Sequence, residues 1–214
     1  MSQEKDYLQD LAEIRSMMEK SSRFISLSGL SGVFAGIFAL IGAGMAYFTI
    51  RNFYFNLWMD SSKRVHGHYS IAELEINLLL IALSVLFVSL AVGYYFTARK
   101  AKKLGQKIWN KSSRQMLVNI GLPLIAGGIF CMALFYHGIF GLIAPSMLIF
   151  YGLALINGSK YTLDDIRYLG YLEIALGLIS CFCVGYGLWF WAFGFGILHI
   201  AYGISMYFKY EHKK

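Results

Sequence analysis

The chain has 214 residues, of which 57% are hydrophobic and only 14% are charged, and its mean hydropathy is +0.55. Charged residues make up about 25% of ordinary soluble domains, so this composition excludes a soluble protein and predicts an integral membrane protein. The formal net charge is +7, and the polar segments between the apolar runs are too short to bury the core of a soluble catalytic domain.

The first polar segment, residues 1–23, predicts an amphipathic helix that precedes the first apolar run. Tyr7, Leu11, Ile14 and Met18 recur at steps of four, three and four residues, which is the spacing of one helical face. Acidic residues spread through this segment exclude the basic n-region of a signal peptide. We expect the helix to lie on the membrane surface or to pack beneath the bundle, and a dimerising or partner-binding helix is the alternative.

Six apolar segments follow, and most approach the ~20 residues that an α-helix needs to cross ~30 Å of hydrocarbon. They lie at residues 25–50, 74–97, 116–136, 139–157, 169–190 and 192–208. Short turns near Gly138 and Gly187 join the third segment to the fourth and the fifth to the sixth. The predicted fold class is therefore all-α and integral membrane, with six transmembrane helices as three parallel helical hairpins plus the N-terminal amphipathic helix.

The distribution of Lys and Arg predicts the orientation. Sixteen of the 19 lie in segments on the side of the N-terminus and three lie on the other side, so both termini are expected in the cytoplasm. The predicted segments are the cytoplasmic amphipathic helix 1–23, the first hairpin 24–97 with an outside loop 51–73, the basic cytoplasmic loop 98–115, the second hairpin 116–157, the cytoplasmic loop 158–168, the third hairpin 169–208 and the cytoplasmic tail 209–214.

The basic loop 98–115 contains no acidic residue and accounts for the whole net charge. Its cations are Arg99, Lys100, Lys102, Lys103, Lys107, Lys111 and Arg114. Because these cations adjoin membrane spans, we expect them to contact the anionic phospholipid headgroups of the bilayer, and we do not expect nucleic-acid binding.

An internal repeat relates the second hairpin to the third. At an offset of 49 residues Gly121 aligns with Gly170 and Gly128 with Gly177, and the first span contains the same seven-residue glycine step. Glycines at this spacing share a helix face on which a neighbouring backbone can approach closely. The glycines predicted to pack helices are Gly29, Gly32, Gly36, Gly121, Gly128, Gly170 and Gly177.

Two-helix units of about 50 residues, each with a G-x6-G first helix, a short turn and a second helix ending near Tyr-Gly, resemble the HdeD-like family of small bacterial inner-membrane proteins. The resemblance covers roughly residues 25–208 and is best from Gly170 to Gly203. It implies six spans, the bacterial cytoplasmic (inner) membrane and a link to acid-stress resistance, and it carries over no catalytic residue. The acidic N-terminal arm and the longer first outside loop depart from the family pattern.

Two polar residues break the repeat. His199 corresponds to Leu148, and Glu173 corresponds to Leu124. Since the apolar counterparts show that folding does not require the polar groups, we hypothesise that His199 and Glu173 line an inward-facing polar site. The alternative is a hydrogen-bonded packing histidine and an interfacial glutamate that snorkels. Helical rise places the two side chains about 10 Å apart, so direct contact is not expected.

The outside loop contains His66 and His68, which could chelate a metal ion or titrate near neutral pH. Solvated loop histidines are the default interpretation, so no metal site is predicted. The sequence contains no Walker A, HExxH, nucleophile-elbow or CxxC motif, and no cofactor is expected.

The predicted function is that of a non-enzymatic inner-membrane protein, either stress-associated or a scaffold, that acts through a membrane partner or as a homo-oligomer. One alternative is a channel or carrier for a small solute or proton, and another is a membrane-embedded enzyme. A polar path past His199 would favour the channel or carrier, whereas an axis closed by glycine packing would favour the scaffold.

Overall fold

The computed structural model describes residues 27–63, 71–105 and 108–212, including their side chains except for those of 60–63. The predicted amphipathic helix 1–23, His66, His68 and Lys107 lie outside these residues. All regular structure within them is helical. The helices are α1 (Gly29–Lys63), α2 (Ile71–Lys103), α3 (Lys111–Tyr136), a short 3-10 turn (Phe140–Leu142), α4 (Ile143–Ser159), α5 (Asp165–Phe182) and α6 (Gly187–Tyr210).

The composition of these helices is that of a multi-pass membrane protein. Of the six in the described residues, α1, α2, α3, α6 and α4 taken together with its preceding 3-10 turn (Phe140–Ser159) are long and apolar enough to cross a membrane. Helix α5 has only 18 residues and contains Asp165, Arg167 and Glu173, which lowers its apolar character.

Several helix boundaries differ from those expected. Helix α1 continues to Lys63, so the first part of the expected outside loop 51–73 is helical, and α2 and α3 extend into the basic loop 98–115. Helix α5 ends at Phe182, well before the expected 190, and α6 begins at Gly187. The chain reverses between them at Gly185, whose φ of +97° lies in the left-handed region that favours glycine.

Helix α6 is not a uniform α-helix. It is α-helical at Gly187–Trp191 and His199–Tyr210, and it is π-helical at Ala192–Leu198. A π-helical turn widens the backbone spiral and is frequent at functional sites. This segment immediately precedes the predicted site residue His199.

Helices α4 and α5 pack through glycines. A Cβ atom on Gly170 would lie 2.7 Å from the carbonyl oxygen of Gly152, and one on Gly177 would lie 2.9 Å from that of Pro145. There is no room for a larger residue at either position. Such close backbone approach increases van der Waals contact, which is a main source of helix association in lipid.

Helices α1 and α6 form a second seam of the same kind. A Cβ atom on Gly29 would lie 2.5 Å from the carbonyl oxygen of Gly203, and one on Gly36 would lie 2.6 Å from that of Gly196. Gly32 also faces the backbone of Gly203. Each seam joins the first helix of one predicted hairpin to the second helix of another, whereas α5 and α6 contact each other sparsely.

The expected packing role of Gly121 and Gly128 is not found. A Cβ atom on either glycine would meet nothing within 4 Å in the described residues. Helix α3 instead contacts α4 through a different face, where Gly127 meets Phe150 and Ile120 meets Gly158. Helix α2 packs mainly along α1, and the apolar part of α2 buries no side chain.

The ends of several helices meet at one end of the bundle. The Gly29 amide donates to Glu211 Oε1 at 2.7 Å, and the Lys100 ammonium lies 3.2 Å from the same carboxylate. Asp165, at the start of α5, accepts a hydrogen bond from Tyr210 at 2.7 Å. The starts of α1 and α5 therefore lie beside the ends of α2 and α6.

The glycine seams lead to a first prediction. Gly170→Ala should lower the free energy of unfolding by about 1–3 kcal/mol, because its Cβ would overlap the α4 backbone. Gly128→Ala should not lower the free energy of unfolding, because its Cβ would enter open space and alanine favours the helix. Thermal unfolding in detergent measures the difference, and equal midpoints for the two variants would contradict the packing.

Candidate functional site

The Glu173 carboxylate is the most unusual group in the described part of the chain. Its residue, near the middle of α5, has no exposed surface. Neither of its side-chain oxygens has a hydrogen-bond partner within the described residues. Buried polar groups are nearly always hydrogen-bonded, and an ionised carboxylate without donors is costly in an apolar interior.

His199 lies directly beside this carboxylate. Its Nδ1 atom is 3.4 Å from Glu173 Oε1, and the residue is only 7% exposed. The expectation of about 10 Å between the two side chains, without direct contact, is wrong. Helix α5 ends at Phe182 and α6 begins at Gly187, before the expected boundary at 190–192, so Glu173 and His199 lie at similar distances from the reversal and at similar depth.

Hydrogen bonds determine the tautomer of His199. Nδ1 lies 3.0 Å from the carbonyl oxygen of Gly194, which can only accept, so Nδ1 carries a hydrogen. Nε2 lies 2.7 Å from the hydroxyl oxygen of Tyr151. In the neutral imidazole this nitrogen is an acceptor, and the Tyr151 hydroxyl donates to it. The ring is thus held on both sides, by α4 and by the backbone of α6.

Gly194 provides the space for the carboxylate. It lies in the π-helical segment of α6, and a Cβ atom there would be 2.5 Å from Glu173 Oε2 and 2.6 Å from Leu148 Cδ2. Leu148 is itself fully buried. The absence of a side chain at position 194 therefore forms the notch that holds the carboxyl group.

The surroundings of the cluster are apolar and aromatic. The Phe195 ring stacks on His199 with centroids 5.8 Å apart. Towards the end of the bundle where Asp165 and Tyr210 meet, the side chains pack into an apolar cluster. Its buried members are Leu155, Leu163, Ile166, Leu169 and Met206. This layer separates the Glu173–His199–Tyr151 cluster from that end.

The structure brings together both predicted polar residues and adds two that the sequence analysis did not identify. Tyr151 aligns with Tyr202 in the predicted repeat, so it was interpreted as a conserved position of the repeat and not as a polar residue of the site. Gly194 has no such signal, because nothing in the sequence distinguishes it from other glycines of α6.

The cluster does not offer a metal site. Within the residues that the structure describes, no three His, Cys, Asp or Glu side chains come together in a group that could hold a metal ion. His66 and His68 are not among those residues.

One cation of the basic loop, Lys100, was expected to contact lipid headgroups but is bound within the protein. The Lys100 ammonium donates to the Leu27 carbonyl oxygen at 2.6 Å and pairs with Glu211, so it is engaged within the protein. Five other cations of this stretch have side chains that are exposed within the described part of the structure. They are Arg99, Lys102, Lys103, Lys111 and Arg114.

Asp165 forms a second polar contact at the same end of the bundle, before the expected span 169–190. Its carboxylate accepts hydrogen bonds from Lys209 at 2.8 Å and Tyr210 at 2.7 Å. Partial burial would raise the pKa of Asp165, but these hydrogen bonds outweigh burial and hold that pKa below its ordinary value.

The Lys100 contacts generate a second prediction. Lys100→Gln should destabilise the protein by about 1–3 kcal/mol, because Glu211 and the Leu27 carbonyl lose their cationic donor in a half-buried setting. Lys102→Gln, two residues away and exposed, should have little effect. Thermal unfolding of the two variants in the same detergent tests this, and a stable Lys100→Gln protein would disprove it.

Comparisons with protein-family models, with curated proteins and with solved structures each give no significant match to this chain. The resemblance to the HdeD-like family therefore stays a prediction from the repeat.

Proposed function

We propose that this protein is a non-enzymatic carrier or channel of the bacterial inner membrane that moves a proton or another small solute. Its central site is the Glu173–His199–Tyr151 cluster, and both chain termini face the cytoplasm. The observation that carries this proposal is the fully buried Glu173 carboxyl group, which has no hydrogen-bond partner in the described residues and touches His199.

The cost of burying Glu173 supports a functional role. A charged side chain at the centre of a bilayer costs about 2.5–3.5 kcal/mol on insertion scales, and such residues usually mark pathways for ions or protons. The repeat shows that the fold does not need this cost, since leucine occupies the equivalent positions 124 and 148. The snorkelling alternative for Glu173 is incompatible with its lack of any exposed surface.

The apolar layer closes the cluster at one end in this structure, so transport requires the surrounding helices to open. Tyr151, Glu173 and His199 come from three different helices, and α5 and α6 contact each other only sparsely. The π-helical segment of α6 lies at this contact. Opening would require α6 to move away from α5, and neither glycine seam joins these two helices.

A third prediction tests for the pathway. In a protein whose Cys131, Cys181 and Cys183 are replaced by alanine, Leu176→Cys should react with a membrane-impermeant thiol reagent from one side. Leu176 is half-buried and lies one turn from Glu173 on α5, so a solute path would admit water to it.

The matched control is Leu178→Cys on the same helix, whose side chain is exposed to the lipid phase. It should react severalfold more slowly than Leu176→Cys, since lipid excludes the reagent. If Leu176→Cys is equally unreactive from both sides of the membrane, the carrier or channel proposal is wrong.

A second candidate function is a scaffold that assembles as a homo-oligomer, with the acid-stress role that the HdeD-like resemblance implies. The open glycine face of α3 favours it, because glycines at the same spacing on α1 and α5 pack against neighbouring helices, while Gly121 and Gly128 meet no other described residue. The unburied apolar part of α2 adds a second open surface. A second copy of the chain could cover both.

A fourth prediction separates this candidate. Gly121→Leu combined with Gly128→Leu should abolish chemically cross-linked dimers in native membranes, because the bulkier side chains prevent close helix approach. Gly44→Leu, which also enters open space but on α1, should leave cross-linking unchanged. A wild-type protein that gives no cross-linked species would rule out the homo-oligomeric scaffold.

A further inference from the structure

We propose that the ligand of the central site is a single exchangeable proton carried on Glu173, and that the Nδ1–H group of His199 is a two-position donor that responds to its release. In the protonated state this N–H bonds to the Gly194 carbonyl oxygen. When the proton leaves, it turns to the Glu173 carboxylate. This inference rests on the proposed central site and names its ligand.

The neutral state of Glu173 follows from its surroundings. Both carboxyl oxygens are buried and without a hydrogen-bond donor in the described residues. Removing an ion from water without compensation is unfavourable, and a carboxyl group in that position takes up a proton instead. The titratable groups in contact around it are His199 from α6 and, through His199, Tyr151 from α4. Neither supplies a full positive charge in the tautomer described above.

The donor set fits a proton better than a metal cation. A bound Na⁺-like or Ca²⁺-like ion requires several oxygen ligands, commonly six to eight for Ca²⁺. Here the oxygens near His199 are those of Glu173, the Tyr151 hydroxyl and the Gly194 carbonyl, and the last two are already engaged with the imidazole. The Nδ1–H group bonds to the Gly194 carbonyl oxygen and lies 3.4 Å from Glu173 Oε1, so its partial positive charge would disfavour a cation there. A proton needs only one carboxyl oxygen.

The two distances from Nδ1 define the proposed switch. The Gly194 carbonyl oxygen is 3.0 Å away and within hydrogen-bond range, whereas Glu173 Oε1 is 3.4 Å away and just outside it. In the proposed switch, a small rotation of the imidazole moves Nδ1–H from the nearer acceptor, the Gly194 carbonyl oxygen, to Glu173 Oε1. Tyr151, bonded to Nε2, keeps the hydrogen on Nδ1 in both positions.

The chemical step is a simple proton transfer. The O–H bond of the Glu173 carboxyl group breaks and its proton passes to a water molecule admitted by the pathway, which forms hydronium and leaves the carboxylate. The Nδ1–H group then donates to that carboxylate, and no other covalent bond changes. The reverse sequence reloads the site from the other side.

The fifth prediction uses infrared difference spectroscopy of the full-length protein in lipid nanodiscs, recorded between acidic and alkaline buffers. Wild type should show the carbonyl band of a protonated carboxyl group that disappears as the pH rises. Glu173→Gln, which has nearly the same shape, should lack this band. Replacing K⁺ by Na⁺ in the buffer should leave it unchanged.

The donor role of His199 has its own readout. In His199→Leu, which introduces the residue found at the equivalent position 148, the carboxylate loses its donor, so the band should persist to a pH about one unit higher or more. His199→Asn, whose amide nitrogen can take the place of Nδ1, should restore most of the wild-type titration. A purely structural histidine would not show this difference between the leucine and asparagine variants.

The outcomes distinguish the inference from the function on which it rests. If the wild-type band is absent, survives in Glu173→Gln or responds to Na⁺, the proton assignment is overturned, and a reactive Leu176→Cys would still support a carrier of another solute. If the band titrates as expected but Leu176→Cys is unreactive, Glu173 binds a proton and the transport proposal fails. Equal titrations of wild type and His199→Leu would overturn the two-position donor alone.

Discussion

Close backbone contact at the two glycine seams is the constraint on which the rest of the bundle depends. In lipid, apolar burial does not drive helices together, so helix position depends on van der Waals contact and on the few polar interactions between helices. Gly170 and Gly177 bring α5 against α4, while Gly29 and Gly36 bring α1 against α6. The contacts of Glu211 and Asp165 then join the starts of α1 and α5 to the end of α6 at one end of the bundle.

The polar cluster is a consequence of this arrangement. The α4–α5 seam brings Tyr151 and Glu173 into the same layer, and α6 adds His199 and the notch at Gly194. Glu173 lies between the seam glycines Gly170 and Gly177 on one face of α5, and His199 lies between Gly196 and Gly203 on α6, so the polar cluster adjoins the seams. The seams consist of glycines with no space for a side chain, and the cluster lies at the sparse contact between α5 and α6.

Much of the fold could be predicted from the sequence. The order of the apolar helices follows from hydropathy, although six spans were expected and five helices in the described residues are long and apolar enough to cross a membrane. The seven-residue glycine spacing identifies the packing faces of α1 and α5. Helix ends were predicted less well, because the continuation of α1 to Lys63 and the reversal at Gly185 depend on local backbone conformation that hydropathy does not register. The open face at Gly121 and Gly128 shows that a repeated motif indicates a surface able to pack, while a neighbour must be present for packing to occur.

The sequence by itself determined the class of protein, its apolar helices and the two polar residues that break the repeat, because composition and periodicity are properties of each segment alone. Only the tertiary structure decided that Glu173 touches His199, that Tyr151 orients the imidazole and that Gly194 makes room for the carboxyl group. Those contacts depend on the relative depth of three helices. That depth depends on where the chain reverses between α5 and α6 and on the π-helical turn in α6, and neither has a signature in hydropathy.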